Sequence, residues 1–314
     1  MIILAIGQYG NVSCKFKLEA FSMKHTFESA QPLTFYADYD PESNSLYYGS
    51  GKLFMHLESK ERGSEAVLIA YGKKSKAYSS EVQKRFRLDD DMERIYKGIA
   101  KDSHVTEAIA RYYGMRLTIN DPWETTLCFI ISQFNNVKRI RLIVRNIVER
   151  FGNVVYDNGK LAIKSFPTSE ELKGATDSEL RALGTGFRSK YITSAAAFCT
   201  DNINLYKLSA NNYEKLKSRL MEIDGVGEKV ADCIALMGYG NLSAFPTDVW
   251  IKRTMEKLYF DGKEVKPRDI HEFAKDYWGK YAGYAQQYLF HNARTYRDEK
   301  QKVERSKKAV RQQA

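Results

Sequence analysis

A lysine, an aspartate and two glycines could carry chemistry in this sequence. Gly225 and Gly227 stand one residue apart in Ile223-Asp224-Gly225-Val226-Gly227-Glu228-Lys229, and Asp248 follows in Phe245-Pro246-Thr247-Asp248-Val249. Lys229 falls in the first turn of a helix that Val230, Ile234 and Met237 mark by their spacing. The helix macrodipole disfavours a cation there, which keeps a population of neutral amine, the form that attacks an electrophilic carbon. Asp248 sits where another helix should begin, after Pro246 and before Val249, Ile251 and Met255. Its plain role is an N-cap. Its chemical role is a carboxylate that stabilises positive charge growing on a sugar ring. Taken singly, a solvated lysine, a capping aspartate and a structural turn are the plainer readings; the chemistry lies in the combination.

The elements that must position these groups are two helices. Tyr213, Leu216, Leu220 and Ile223 recur at helical spacing before the glycines. Gly225 and Gly227 then make a turn too tight for side chains, and the second helix opens with free backbone N–H groups pointing outward, a seat for phosphate. This is a helix-hairpin-helix, which grips a DNA backbone without reading its sequence. The net charge of +10, from 49 basic against 39 acidic residues, favours an anionic partner. At 314 residues, 43% of them hydrophobic, the chain has room for several domains with a substantial core.

Cys14, Cys128, Cys199 and Cys233 are too far apart for a clustered metal site or a four-cysteine iron–sulfur loop, and they make no disulfide framework. A reducing, intracellular compartment is expected: cytoplasm or nucleoid in a prokaryote, nucleus in a eukaryote. The apolar opening Met1–Ile6 is too short for a signal peptide and no stretch has the length of a membrane span, so no membrane partner is expected.

The fold class expected is α+β: an N-terminal antiparallel sheet domain followed by a mostly helical region of two subdomains. Cys14–Leu18, Leu46–Tyr48, Leu53–Leu57 and Ala66–Tyr71 read as strands, with Glu61-Arg62-Gly63 connecting the last two. Residues 1–87 form the sheet domain. Residues 88–120 with 211–297 form the helical domain that contains the hairpin, and 121–210 a second helical subdomain. Acids before Met92 mark one helix start, and Asp121-Pro122-Trp123-Glu124 marks another. The charged segment 298–314 reads as a basic tail.

Gly225-Val226-Gly227-x-Lys229-Val230-Ala231-Asp232-Cys233 with Pro246-Thr247-Asp248-Val249 resembles the signature of the helix-hairpin-helix (HhH-GPD) DNA glycosylases, and within them the 8-oxoguanine DNA glycosylase/AP lyases. The resemblance implies base excision repair: Lys229 as nucleophile, Asp248 as the balancing carboxylate, and duplex DNA containing an oxidised purine as partner of a monomer. Cys233, Met237, Gln286 and Phe290 would bound the base pocket. Phe134, Asn135, Asn136 and Arg139 would fill the space left by the extruded base. Phe187 and Arg188, in Leu183-Gly184-Thr185-Gly186-Phe187-Arg188, would be pushed into the duplex, while Gly225 and Gly227 hold the backbone. No metal enters the chemistry and no cofactor is required, although hairpin carbonyls near Ile223 and Val226 would hold a monovalent cation when DNA binds.

Three positions depart from the family pattern. Phe134 stands where the family has an asparagine facing the orphaned base, so looser opposite-base selectivity is expected. Trp250 stands where relatives have a phosphate-touching histidine. Ala30, beside Gln31, stands in the stretch where a glycine carbonyl accepts the N7–H that marks 8-oxoguanine. Two other readings share the hairpin: a monofunctional glycosylase for other damaged or mismatched bases, and a non-catalytic DNA-binding module.

Overall fold

In the computed structural model, which describes residues 6–7, 10–71 and 76–296, the alternation around Cys14 belongs to a strand of ten residues. Six strands pair antiparallel: β1 (Ile6–Gly7), β2 (Gly10–Glu19), β3 (Asp38–Asp40), β4 (Ser45–Ser50), β5 (Leu53–Arg62) and β6 (Glu65–Tyr71). Their order across the sheet is β1-β2-β6-β5-β4-β3. Gly63, at φ +60, makes the turn from β5 to β6. Cys14, Leu46, Tyr48, Met55, Leu57, Leu68 and Ala70 are buried and share one core cluster with the helical region. The tail 298–314 lies outside the described residues.

The helical region begins where the acids place it. Asp91 caps Met92–Ile99 by accepting from Arg94 N–H. Asp121 caps Pro122–Ser132 by accepting from Trp123 and Glu124 N–H. The second of these helices is buried from Trp123 to Ile131, the mark of a central helix.

One element departs from the helical reading of 121–210. Strands β7 (Val154–Asp157) and β8 (Ala162–Lys164) form a small hairpin. Its cause is local: Gly159 takes φ +78, and the Asn158 side chain accepts from Lys160 N–H at 3.0 Å and Leu161 N–H at 2.8 Å. Asn-Gly between β-rich residues is a strong hairpin signal.

The sheet domain is bonded to both helical parts. Ser165, just past β8, bridges to Gly49 of β4. On the other side, Gln287 of the helix spanning 282–296 donates to the Ser29 carbonyl at 2.8 Å, and Arg294 of the same helix donates to that of Glu28. Between them, Arg85 of helix Lys76–Arg85 pairs with Glu124 at 3.0 Å, both nearly excluded from water. The buried Arg116 guanidinium donates to the carbonyls of Glu19, Ala20, Arg87 and Asp90. Among the described residues, no helix is long and apolar enough to cross a membrane.

Candidate active site

The hairpin forms as its spacing predicts. Helix Tyr213–Leu220, capped by Asn212, leads through the buried Ile223 into the turn, and helix Glu228–Met237 leaves it. Gly225 is a glycine for two reasons: its φ is +82, and a Cβ there would lie 2.9 Å from the Tyr191 ring. Gly227 differs. It has ordinary extended backbone, φ −88 and ψ −178, and a Cβ would meet nothing within 4 Å. The protein's own packing does not require a bare backbone at Gly227; its effect is to leave the helix N-terminus open from outside.

Lys229, in the first turn, is half-buried, with its Nζ 5.2 Å from the centre of the Phe129 ring. One turn on, Cys233 is 3% exposed. Burial pushes its thiol up to about 12, the nearby Lys229 amine opposes that rise, and the carboxylates of Asp232 and Asp248 add to it. The thiol is therefore the common neighbour of Lys229 and Asp248. Asp248 is an N-cap as well: its Oδ1 accepts from Ile251 N–H at 2.8 Å.

Cys233 and Met237 are buried on the lysine helix, and Phe290 lies half-buried four residues beyond Gln286 on helix 282–296. Gln286 is 5% exposed; its Nε2 donates to the Pro246 carbonyl at 3.1 Å, two residues before Asp248. Its Oε1 is buried with no partner from the protein. Such an acceptor needs a donor from somewhere, and the N–H groups on a purine's edge are of the right kind. Ala30 takes φ +61, a left-handed conformation that glycine adopts without cost and alanine does not. The carbonyls on either side of it are committed, Ser29 to Gln287 and Gln31 to Thr34.

The residues expected at the orphaned base lie together. Phe134 takes φ +48 and is 94% exposed. Its ring lies 6.4 Å from that of Phe187, which is 48% exposed and in turn edge-on to Tyr191. Asn135 and Asn136 have local work: Asn135 donates to the Ile131 carbonyl at 3.1 Å, and Asn136 caps Val137–Phe151 by accepting from Arg139 N–H at 3.0 Å. Arg139 is exposed on the first turn of that helix.

Arg188, expected to enter the duplex beside Phe187, is 4% exposed and turned inward. Its guanidinium donates to the carbonyls of Gln133, Phe134 and Thr185 and lies 4.4 Å from the Phe187 ring centre. The many donors of a guanidinium meet a knot of carbonyls at the helix end, and this holds the side chain inward.

Phe129 and Gln133 escaped sequence reasoning. Phe129 sits in an apolar run that reads only as core, and Gln133 at a helix end that reads only as a break. At Trp250, 37% exposed, the Arg253 guanidinium stands 5.8 Å from the ring centre. The hairpin carbonyl of Ile223 accepts from Val226 N–H at 2.9 Å.

A sheet domain leading into helices, with the amine on a hairpin that faces exposed aromatic rings, is the arrangement of helix-hairpin-helix DNA-repair proteins. Residues 127–280 match the HhH-GPD superfamily of base excision DNA repair proteins, and residues 13–126 match the N-terminal domain of 8-oxoguanine DNA glycosylases. The chain belongs to this superfamily, in the branch that carries that N-terminal domain. It is 32% identical over 250 residues to the N-glycosylase/DNA lyase of Saccharomyces cerevisiae, which covers 68% of this chain and 66% of the yeast protein. The structure of MBOgg1 in complex with a low-affinity DNA ligand superposes with a TM-score of 0.83 at 32% identity, covering 94% of this chain and 99% of that one. The Clostridium acetobutylicum 8-oxoguanine glycosylase/lyase, solved with duplex DNA containing cytosine opposite 8-oxoguanine, gives 0.83 at 26% identity and covers 94% and 98%.

Proposed function

We propose that this chain is a bifunctional DNA glycosylase/AP lyase that removes 8-oxoguanine from duplex DNA in base excision repair. The observation that carries the reading is the shared neighbourhood of Lys229 and Asp248 about the Cys233 thiol, on a hairpin whose helix N-terminus is open at Gly227. Backbone phosphate is seated at that N-terminus. Phe134 and Phe187 enter the stack, and the damaged base swings into the pocket of Cys233, Met237, Gln286 and Phe290. The Ala30 carbonyl is the candidate acceptor for N7–H.

In the chemical step, the Lys229 Nζ lone pair bonds to C1′. The glycosidic bond breaks, and the base leaves with its electron pair and takes up a proton. Asp248 stabilises the oxocarbenium-like charge in between. The amine then sheds a proton and the C1′–O4′ bond opens, O4′ taking up a proton, which gives the Schiff base. This makes the 2′ proton acidic; its removal breaks the C3′–O bond, the 3′ phosphate leaves, and the strand is cut. All these groups come from one chain, which fits a monomer. The cation proposed at the hairpin would use the carbonyls of Ile223 and Val226. Ile223 retains a lone pair for it beyond the one given to Val226 N–H.

Borohydride trapping tests the reading. Wild type should form a covalent adduct with an 8-oxoguanine duplex, and Lys229→Gln should form none and leave the strand uncut. Excision without an adduct would favour a monofunctional glycosylase. Binding without excision would leave only a DNA-binding module.

A further inference from the structure

Asp232 follows Lys229 by one turn on the hairpin's second helix and is wholly buried, yet the chemical step does not use it. One of its oxygens is well occupied. Oδ1 accepts from the Tyr213 hydroxyl and lies 3.0 Å from Lys217 Nζ, which binds this helix to helix Tyr213–Leu220. The other oxygen is not. Oδ2 lies 3.5 Å from Nε2 of His271, on helix Pro267–Trp278, and both atoms are buried without a hydrogen bond. A carboxylate oxygen facing a bare ring nitrogen leaves both unsatisfied, and one proton between them would satisfy both.

The far side of His271 leads to the second catalytic group. The backbone of Phe245, three residues before Asp248, favours the charged ring, as a carbonyl acceptor does. The Phe245 side chain also stacks on Trp278 of the same helix, with ring centres 5.6 Å apart. His271 thus stands between the helix of Lys229 and the segment that runs into Asp248. A neutral imidazole has one N–H and serves one of these two acceptors; an imidazolium serves both.

The charges around the ring are mixed. Burial and Lys217 oppose its proton, Asp232, Glu228 and the Phe245 backbone favour it, and burial prevails, so the ring charges only below 6.5. On its own helix, Arg268 and Glu272 are exposed and pair with each other at 2.9 Å. The His271 side chain keeps 24% of its surface exposed, which gives protons a route from solvent.

We propose that Asp232 and His271 are positioning residues: a proton held between Asp232 Oδ2 and His271 Nε2 ties the Lys229 helix to the segment leading into Asp248, and so fixes the amine and the carboxylate relative to each other. This rests on the reading of Lys229 as nucleophile and Asp248 as its balancing acid. The tied form is the faster one, because both groups must meet the same sugar in a fixed geometry.

The test compares single-turnover excision near pH 8 and near pH 5, as ratios of variant to wild type so that the titration of Lys229 itself cancels. His271→Phe cannot form the bridge; it should match wild type within about twofold near pH 8 and fall ~10-fold behind near pH 5. Asp232→Asn offers its amide to the neutral ring, so it should lead wild type by up to ~10-fold near pH 8 and converge with it near pH 5. Ratios that do not change with pH would overturn the bridge. In wild type without DNA, the ring nitrogen shifts in NMR should report the proton on Nδ1 near pH 8 and on both nitrogens near pH 5. A proton already on Nε2 near pH 8 would equally overturn it. Should wild type trap no adduct with borohydride, the glycosylase reading fails, and the nitrogen shifts, which need no substrate, still decide the bridge.

Discussion

Asp248 holds two roles in one side chain, and a single substitution separates them. Asparagine caps a helix about as well as aspartate but carries no charge. Asp248→Asn should leave the unfolding free energy within about 0.5 kcal/mol of wild type and lower the single-turnover excision rate by roughly 10²–10³-fold. Phe134 invites the opposite exchange. Its left-handed backbone suits asparagine better than phenylalanine, so Phe134→Asn should stabilise the protein by up to about 1 kcal/mol. It should also restore a hydrogen-bonding side chain at the orphaned base, with discrimination for cytosine rising by about 1–3 kcal/mol. A panel of four opposite bases would measure this, and an unchanged ranking would refute it. The amine and the acid stand out at this scale because their types and spacing are unusual together, and the structure places both beside Cys233. The inward turn of Arg188 does not stand out: it depends on carbonyls from Gln133 and Thr185, which no local pattern announces.

The two hairpin glycines look alike in sequence and differ in what they do. Gly225→Ala meets both a left-handed φ and the Tyr191 ring, so it should cost about 2 kcal/mol or more in chemical denaturation. Gly227→Ala has room, so its stability should change by less than about 0.5 kcal/mol. Its binding to undamaged duplex should nonetheless weaken about tenfold, the worth of one good hydrogen bond to phosphate. Equal behaviour of the two variants in both assays would refute this division. The helix starts at Met92 and Pro122 were readable because caps and first-turn acids are local signals. Strands β7 and β8 passed unread because Asn158-Gly159 lies between strands of only four and three residues, too short for alternation to show.

Across the molecule, buried charge and buried histidine set the stability. Glu124→Gln would leave Arg85 deep in the junction with the more exposed Glu81 as its remaining carboxylate, costing about 3 kcal/mol. Burial lowers His56 to about 4 and His291 to about 3, and lowers His25 and His271 from their ordinary 6.5. Folded, these rings stay neutral while the unfolded chain takes up protons below pH 6.5. Their stabilising effect is therefore whole above that pH and is lost as pH falls towards 4 and then 3. Denaturation midpoints should drop on acidification through this window, and His291→Gln should flatten the slope.

The bonds from the sheet domain to both helical parts have a mechanical consequence. Ser165 clasps it on one side, Gln287 and Arg294 on the other, so the two helical halves share a common backing, and independent hinging would have to break these bonds. A stiff jaw of this kind does not wrap its substrate. The duplex must supply the curvature, and a lesion that makes DNA easier to kink will be engaged sooner than intact helix of the same sequence.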